Sequence, residues 1–331
     1  MDEPDLEARA LAWSRYWRSG ARHSCPGSFV DHYGAATQRF WTLCFARIRT
    51  SEGLLELGCG NGSLIRFLAQ VGEPWPQRID AVDLAELEQG WLDGQPPALR
   101  SRIRLHPRTP ATRLPIADHS VHRVYSQYAL EYFASDACWS EIGRTLAPGA
   151  ELAAVVHHRG SHLVRLAQSE SQDSQWLLAE QGPLDRAAEL LPWLAMSADA
   201  GARARREADP QAAAARQQFN AAFARVSARI EAAEFPDLLR DAAERVMKIL
   251  QAAPVSGAAS ARSALDALRA ELVDNRLRVA ELVDCALDGQ GIEAWIERLR
   301  SLAFSRFEVA EIVEQGYLFG WSLVASRGSR E

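Results

Sequence analysis

Lysine is almost missing from this chain: of its 37 basic residues, only Lys248 is a lysine and the rest are arginine. With alanine so abundant, that is the composition of a GC-rich bacterial genome and concerns source, not chemistry. A positive excess is missing too, since 43 acidic residues outnumber the 37 basic ones and leave a net charge of −6. The chain therefore lacks the overall positive field that non-specific nucleic-acid binding requires. Cysteine is sparse: Cys25, Cys44, Cys59, Cys138 and Cys285 are odd in number and form no C-x-x-C pair. That spacing excludes a disulfide framework and a zinc site, so reduced thiols and no metal are expected. No run approaches the 18 or so apolar residues of a membrane helix, and the opening M-D-E-P-D is acidic where a signal peptide is basic and then apolar. A cytoplasmic protein with neither membrane nor nucleic-acid partner is the expectation.

What is present is a globular composition, 47% hydrophobic and 24% charged, in 331 residues, room for two domains or for one large domain carrying an insertion. Residues 1–50 are rich in aromatics, including Trp13, Tyr16, Trp17, Phe29, Tyr33, Phe40, Trp41 and Phe45, and the i, i+4 spacing of Trp13/Trp17 and Trp41/Phe45 predicts a cap of short helices. From residue 51 to 158 apolar runs alternate with helical patterns: G-L-L-E-L at 53–57, I-D-A-V-D at 79–83, a strand at 103–105, another at 123–128, a helix over about 132–146 stopped by Pro148-Gly149, and E-L-A-A-V-V-H at 151–157. Five such units predict an α/β fold with a doubly wound parallel sheet, its fully apolar strands buried on both faces. Residues 159–303 lack strand-like runs and read as helical; Phe219, Phe223, Val226 and Ile230 share one helix face, as do Leu265, Leu268 and Leu272. Strands return at 307–314 and 317–326, separated only by Gln315 and Gly316, and make the sheet mixed by closing it with an antiparallel hairpin. The domains expected are a cap at 1–50, a core of 51–158 with 304–331, and a helical insertion at 159–303 before the sixth strand.

The chemistry concentrates at E-L-G-C-G-N-G, residues 56–62, where a strand turns into a helix. Glycines let the backbone approach a ligand there while free N–H groups and the helix dipole point at it. The spacing is G-x-G-x-G and Ser63 follows, which disfavours the G-x-G-x-x-G of a dinucleotide binder. The turn resembles the first motif of class I S-adenosylmethionine-dependent methyltransferases, a Rossmann-like family. Four further stretches resemble it in order: A-V-D-L at 81–84, R-L-P-I-A-D-H-S-V-H-R-V-Y-S at 113–126, E-I-G-R-T-L-A-P-G-A-E-L at 141–152 and the terminal G-W-S-L-V-A. The resemblance implies S-adenosylmethionine as methyl donor and S-adenosylhomocysteine as product. It places Glu56 near the methionine amine, Gly58, Cys59, Gly60 and Gly62 under the methionine and ribose, Asp83 on the ribose hydroxyls, Leu84 on adenine, and Gln127 and Tyr128 beside the methionine end. Two departures stand out. Pro110-Ala111 replaces the acidic pair that commonly meets the adenine amino group, leaving Thr109, Thr112 or a backbone carbonyl to serve, and His122 replaces the usual aspartate of the fourth strand, a position that supports the strand edge.

Methyl transfer depends chiefly on in-line positioning, but a hydroxyl acceptor benefits from a general base, and histidine titrates in the right range. All eight histidines precede residue 163, and His157 and His158 end the fifth strand at the carboxyl edge where doubly wound folds bind ligands. They point to opposite faces, so one at most faces inward. Glu131 is the third catalytic candidate. Tyr33, Trp41 and His162 are the candidate pocket residues, the aromatic cap implying an acceptor with apolar or aromatic surface. The expected reaction is methylation of a small or medium-sized metabolite, with O-methylation favoured by the histidines. The alternatives are a peptide or protein methyltransferase docking through the helical insertion, and a non-catalytic methyltransferase-like binding protein. The insertion is read as a roof over the site or as an oligomerisation element forming a homodimer.

Overall fold

The computed structural model describes residues 3–24, 33–196, 201, 204 and 208–328. Cys25 and Phe29 lie outside the described residues. The chain divides into two compact units, Met1–Arg165 with Glu281–Glu331, and Leu166–Ala280.

The first unit opens with α1 (Glu3–Arg18) and α2 (Ala35–Phe45). There follow β1 (Gly53–Leu57), α3 (Ser63–Val71), β2 (Arg78–Val82), the single turns α4 (Gly90–Asp93) and α5 (Pro97–Arg100), and β3 (Ile103–His106). Next come β4 (Val121–Gln127), a 3-10 turn (Leu130–Tyr132), α6 (Asp136–Thr145) and β5 (Leu146–His157), and α7 (His162–Leu177) leads out of the unit. The sheet order is β3-β2-β1-β4-β5-β7-β6, where β6 is Phe304–Glu314 and β7 is Tyr317–Arg327. Strands β1 to β5 are parallel, and β7 runs antiparallel between β5 and β6. This is the mixed, doubly wound sheet expected, and the hairpin turn has Gln315 at φ 51° and Gly316 at φ 84°, the paired positive φ of a two-residue connection.

Strand alternation divides the core into two layers. Leu54, Ile79, Tyr125, Ala153 and Val155 face α2 and α3, where Trp41, Phe45, Leu64 and Leu68 cover them. Leu55, Leu57, Val124, Leu152 and Val156 face the other way, onto Trp139 and Ile142 of α6 and onto Ile292, Trp295 and Leu299. Each fully buried side chain of this kind contributes about 1.5–3 kcal/mol, and the two covered faces explain why these strands are continuous apolar runs.

Two boundaries differ from the sequence reading. Pro148 and Gly149 do not terminate a helix; they lie inside β5, where Gly149 has φ 71° and the pairing with β4 shifts register between Val121 and Arg123. Helix α6 is shorter than the 132–146 expected and starts where the Ser135 hydroxyl accepts from the Cys138 backbone N–H. Helices run through the block read as helical, from His162 to Ser301, but they do not all serve one core. The helix Gly289–Ser301 packs on the sheet through Ile292, Trp295 and Leu299, and the Trp295 ring meets Trp139 edge-on at 5.2 Å. Its composition matches that of the preceding helices, so composition hid what its apolar stripe at 292, 295 and 299 shows.

The second unit contains α8 (Pro183–Ala195), α9 (Pro210–Ala232), α10 (Asp237–Ser256) and most of α11 (Ala258–Cys285); Gly289–Ser301 is then α12. Leu184, Leu191, Phe219, Val226, Leu239, Val246, Leu265 and Leu268 form its core. The breaks follow local chemistry. Pro183 and Pro210 occupy first-turn positions, Asp209 caps α9 by accepting from the Gln211 N–H, and Gly257 at φ 81° ends α10. Arg229 pairs with the buried Asp173 at 2.6 Å while stacking over Trp176.

No helix among the described residues is long and apolar enough to cross a membrane. None of them forms a group of three or more His, Cys, Asp or Glu poised to hold a metal ion.

Candidate functional site

At the carboxyl end of β1 the chain turns through three glycines with positive φ: Gly58 (72°), Gly60 (48°) and Gly62 (71°). A side chain at any of them is strained by the backbone and blocked by a neighbour, namely Ala129 at Gly58, the Trp17 ring at Gly60 and the Trp91 ring at Gly62. The Gly58 and Cys59 N–H groups donate to Val82 O at 2.8 and 3.1 Å, fastening the turn to the end of β2. Asp83 completes the fastening. Its Oδ2 accepts from Gly60 N and its Oδ1 from Ala85 N, both at 2.8 Å. Burial raises the Asp83 carboxyl above the ordinary range, and the backbone donors Ala85, Gly60 and Leu84 pull it back. Glu56, fourth residue of β1, has no such donors: Oε2 is buried without a hydrogen-bond partner. Burial, followed by the nearby Asp83, pushes its pKa up to about 8. The Cys59 thiol is likewise raised, by burial first and then by Asp83 and Glu56.

Above this turn lies a cavity of about 630 Å³, within the range of about 300–1,000 Å³ that small-molecule sites occupy. Of the donor residues expected, Glu56, Gly58, Cys59, Asp83, Leu84, Pro110, Ala111, Gln127 and Tyr128 line it, together with Thr109 and Thr112. Gly60 and Gly62 are not on its wall, since Trp17 and Trp91 cover them. Thr109 is engaged locally: its hydroxyl donates to Pro107 O at 3.1 Å and its N–H to Asp83 O at 2.9 Å. His122 accepts from Gly53 N at 3.2 Å and so braces the start of β1.

The other end of the cavity is a belt of rings. Trp17 stacks on Trp13, Trp13 meets Tyr132 edge-on, and Tyr132 meets His157 edge-on. His157 tilts against Tyr128 at 4.5 Å, Tyr128 against Tyr33 at 5.0 Å and Tyr33 against His23 at 4.9 Å. Tyr128 holds φ 51°, fixed by its N–H on Val155 O at 2.6 Å, and its ring reaches over Gly320, where a side chain would collide with Val156 O and crowd the ring.

Two of the catalytic candidates meet inside the belt. His157 Nδ1 lies 2.6 Å from Glu131 Oε1, which also accepts the His157 backbone N–H at 3.0 Å, and both side chains are wholly buried. Glu131 lines the cavity and His157 stands behind it. His158 takes the opposite face, as strand alternation requires. Its ring lies on Trp321, its Nδ1 accepts from Gly160 N, Glu311 is 3.7 Å from Nε2, and burial lowers its pKa. His162 is also off the wall and contacts Tyr317 and Phe319. Trp41 is buried beneath the site, where its indole N–H donates to Gln127 Oε1 and sets the orientation of that amide. Tyr33 is on the wall, and its hydroxyl is 2.9 Å from that of Ser24.

The sequence reading did not select Arg9, Trp13, Trp17, Tyr132 or Phe133 as site residues, yet all five line the cavity. Arg9 pairs with Glu281 at 2.8 Å and donates to Tyr132 O at 2.7 Å. A signal existed in the Trp13/Trp17 stripe, which marks a helix face needing a partner. Nothing in sequence says that the partner is the glycine turn, where Asn61 Nδ2 donates to Trp17 O and Ala21 O.

Residues 55–154 match a family model described as a methyltransferase domain. No curated protein matches the chain. Among solved structures, the YcgJ protein of Bacillus is 21% identical over 39% of this chain and 58% of its own, with a TM-score of 0.30. A geranyl diphosphate methyltransferase in complex with GPP and sinefungin is 16% identical over 45% of this chain and 66% of its own, TM-score 0.35. The [4+2]-cyclase SpnF is 19% identical over 46% of this chain and 61% of its own, TM-score 0.36. The chain thus spans less than two thirds of the length of each of these three structures. The segment 55–154, which holds the glycine turn and Asp83, is thus similar to a methyltransferase domain.

Proposed function

We propose that the protein transfers a methyl group from S-adenosylmethionine to a small or medium-sized metabolite bound in the same cavity. The observation carrying this reading is the glycine turn, Glu56 and Asp83 on one wall of a 630 Å³ space that extends to a second, ring-lined end. The residues suit the donor. The buried, unpartnered Oε2 of Glu56 is an acceptor awaiting an ammonium group, and the Asp83 oxygens, held by the Gly60 and Ala85 N–H groups, retain lone pairs for hydroxyl groups. Gly58 brings bare backbone to the wall, and Leu84 with Pro110 and Ala111 offers an apolar slot for a planar base. The donor supplies an electrophilic methyl on a sulfonium, while the protein's part is to hold the acceptor in line and keep water out.

The histidine argument for O-methylation rested on a free imidazole at the strand end. His157 Nδ1 is engaged by Glu131, and His158 lies on Trp321 away from the cavity wall. Glu131 is therefore the group of this set placed to receive a proton, from oxygen or from nitrogen. Calorimetric titration with S-adenosylmethionine and S-adenosylhomocysteine tests the reading: micromolar binding, lost in Asp83→Ala, supports it, and absence of heat and of thermal shift with both ligands sinks it.

A further inference from the structure

The ring-lined end of the cavity contains a carboxylate with one oxygen unspoken for. Glu131 Oε1 takes two donors from His157, whereas Oε2 is buried and has no hydrogen-bond partner. His157 Nε2 is also buried without a partner. A hydrogen there would have no acceptor, whereas one on Nδ1 is donated to Glu131 Oε1. Trp13, Tyr132, Tyr128 and Tyr33 line the same cavity as that carboxylate, and Tyr128 and Tyr132 both meet the ring of its partner His157. Among the described residues, Arg9 is the sole arginine or lysine on the cavity wall, and Glu281 already neutralises it. Three carboxyls, Glu56, Asp83 and Glu131, share the wall with one imidazole, that of His23 against Tyr33. A buried carboxylate oxygen with no donor, in a cavity walled by aromatic rings, is favourable to a cation and unfavourable to an anion.

Resting on the methyl-transfer reading above, we infer that the acceptor is an amine on an apolar or aromatic body, its ammonium group received by Glu131 Oε2 within the ring belt. Glu131 takes one proton from the ammonium nitrogen. The freed lone pair then forms the new nitrogen–methyl bond as the sulfur–methyl bond breaks and its electron pair returns to sulfur. The products are a methylated ammonium, a protonated Glu131 and a neutral thioether, so charge and atoms balance. His157 is a positioning residue: it fixes which Glu131 oxygen faces the acceptor.

The test uses three probes of matched shape, 2-phenylethylamine, 2-phenylethanol and 3-phenylpropionate, titrated by ligand-observed NMR into the full chain saturated with S-adenosylhomocysteine. The expected result is saturable binding in the order amine, alcohol, carboxylate, the amine at least 10-fold tighter than the carboxylate. In Glu131→Gln the amine should lose that advantage while S-adenosylhomocysteine affinity stays within 2-fold. Equal or reversed ranking, no saturable binding of any probe at millimolar concentration, or an unchanged ranking in Glu131→Gln each overturns the inference. So does a Glu131→Gln variant that loses affinity for S-adenosylmethionine alone, because the carboxylate would then serve the sulfonium. If Glu131→Gln does not fold, the ranking in the unmodified protein decides by itself. Failure to bind S-adenosylhomocysteine at all is read separately, and brings down the methyl-transfer reading together with this one.

Discussion

The two ends of the cavity are built by different means. At the glycine turn the wall is backbone, held by contacts that span at most a few dozen residues: Gly60 N to Asp83, Gly58 N to Val82 O, Thr109 N to Asp83 O. At the ring-lined end it is side chains brought from far apart, with Trp13 against Tyr132, Tyr33 against Tyr128, and Arg9 against Glu281. Backbone walls demand particular residues, glycine for positive φ and a short carboxylate to accept N–H groups, and so leave a motif. Ring walls demand only bulk and a helix face, so many sequences satisfy them.

Breaking the backbone end should have the largest effect. Asp83→Ala removes the acceptor of two buried N–H groups, at about 1–3 kcal/mol for each left unsatisfied. We expect donor binding to weaken at least 100-fold, read by calorimetry, with a clear drop in the unfolding midpoint. Next is His157→Phe, which keeps a ring in the belt and the backbone N–H but deprives Glu131 Oε1 of its side-chain donor. Removing one partner of a buried hydrogen bond costs about 1–3 kcal/mol, so denaturant titration should show a loss of that order. S-adenosylhomocysteine affinity at a temperature where the variant is folded should change less than 5-fold. A larger change would mean that the two ends are not separable.

A third prediction concerns protons. Glu56 has a folded pKa near 8 against 4.5 for an ordinary glutamate. The folded state thus holds a proton that the unfolded chain has lost, and this group's contribution to stability is full below about pH 4.5 and disappears as pH rises through 8. Glu56→Gln should flatten that decline. If Glu56 receives the ligand's ammonium, binding at pH 7 should release about one proton, seen as a dependence of the measured heat on buffer ionisation enthalpy, and the release should vanish in Glu56→Gln. The smallest effect is expected for Trp41→Phe, which frees the Gln127 amide at a cost of about 1 kcal/mol. A 2- to 5-fold weaker donor affinity with the cavity otherwise intact would place the orienting role of Trp41 on a scale with the others.

This contrast also explains what sequence could and could not tell. The sheet was legible because strands buried on both faces must be apolar throughout, and the closing hairpin because Gln315-Gly316 leaves room for nothing else. The wall residues of the glycine turn were legible as a motif. The meeting of Glu131 and His157 was not, although both were candidates, because it depends on the 3-10 turn at Leu130–Tyr132 bringing a carboxylate beneath the end of β5. Arg9 was invisible for a related reason: its partner Glu281 belongs to a helix whose composition resembles that of its neighbours.

Strand β7 has a consequence for how the molecule comes into being. It pairs along β5, yet β5 ends at His157 and β7 starts at Tyr317. A ribosome adding 5–20 residues per second needs roughly 10–30 s to supply the intervening stretch of about 160 residues. During that interval the Leu152–Val156 edge has its backbone groups exposed on one side, an apolar template on which another chain could pair. The helices between them close their core through contacts nearer in sequence, and such contacts form quickly. Nascent chains stalled after residue 303 should therefore be the aggregation-prone species of this protein, and release from that state should await the arrival of its last strand.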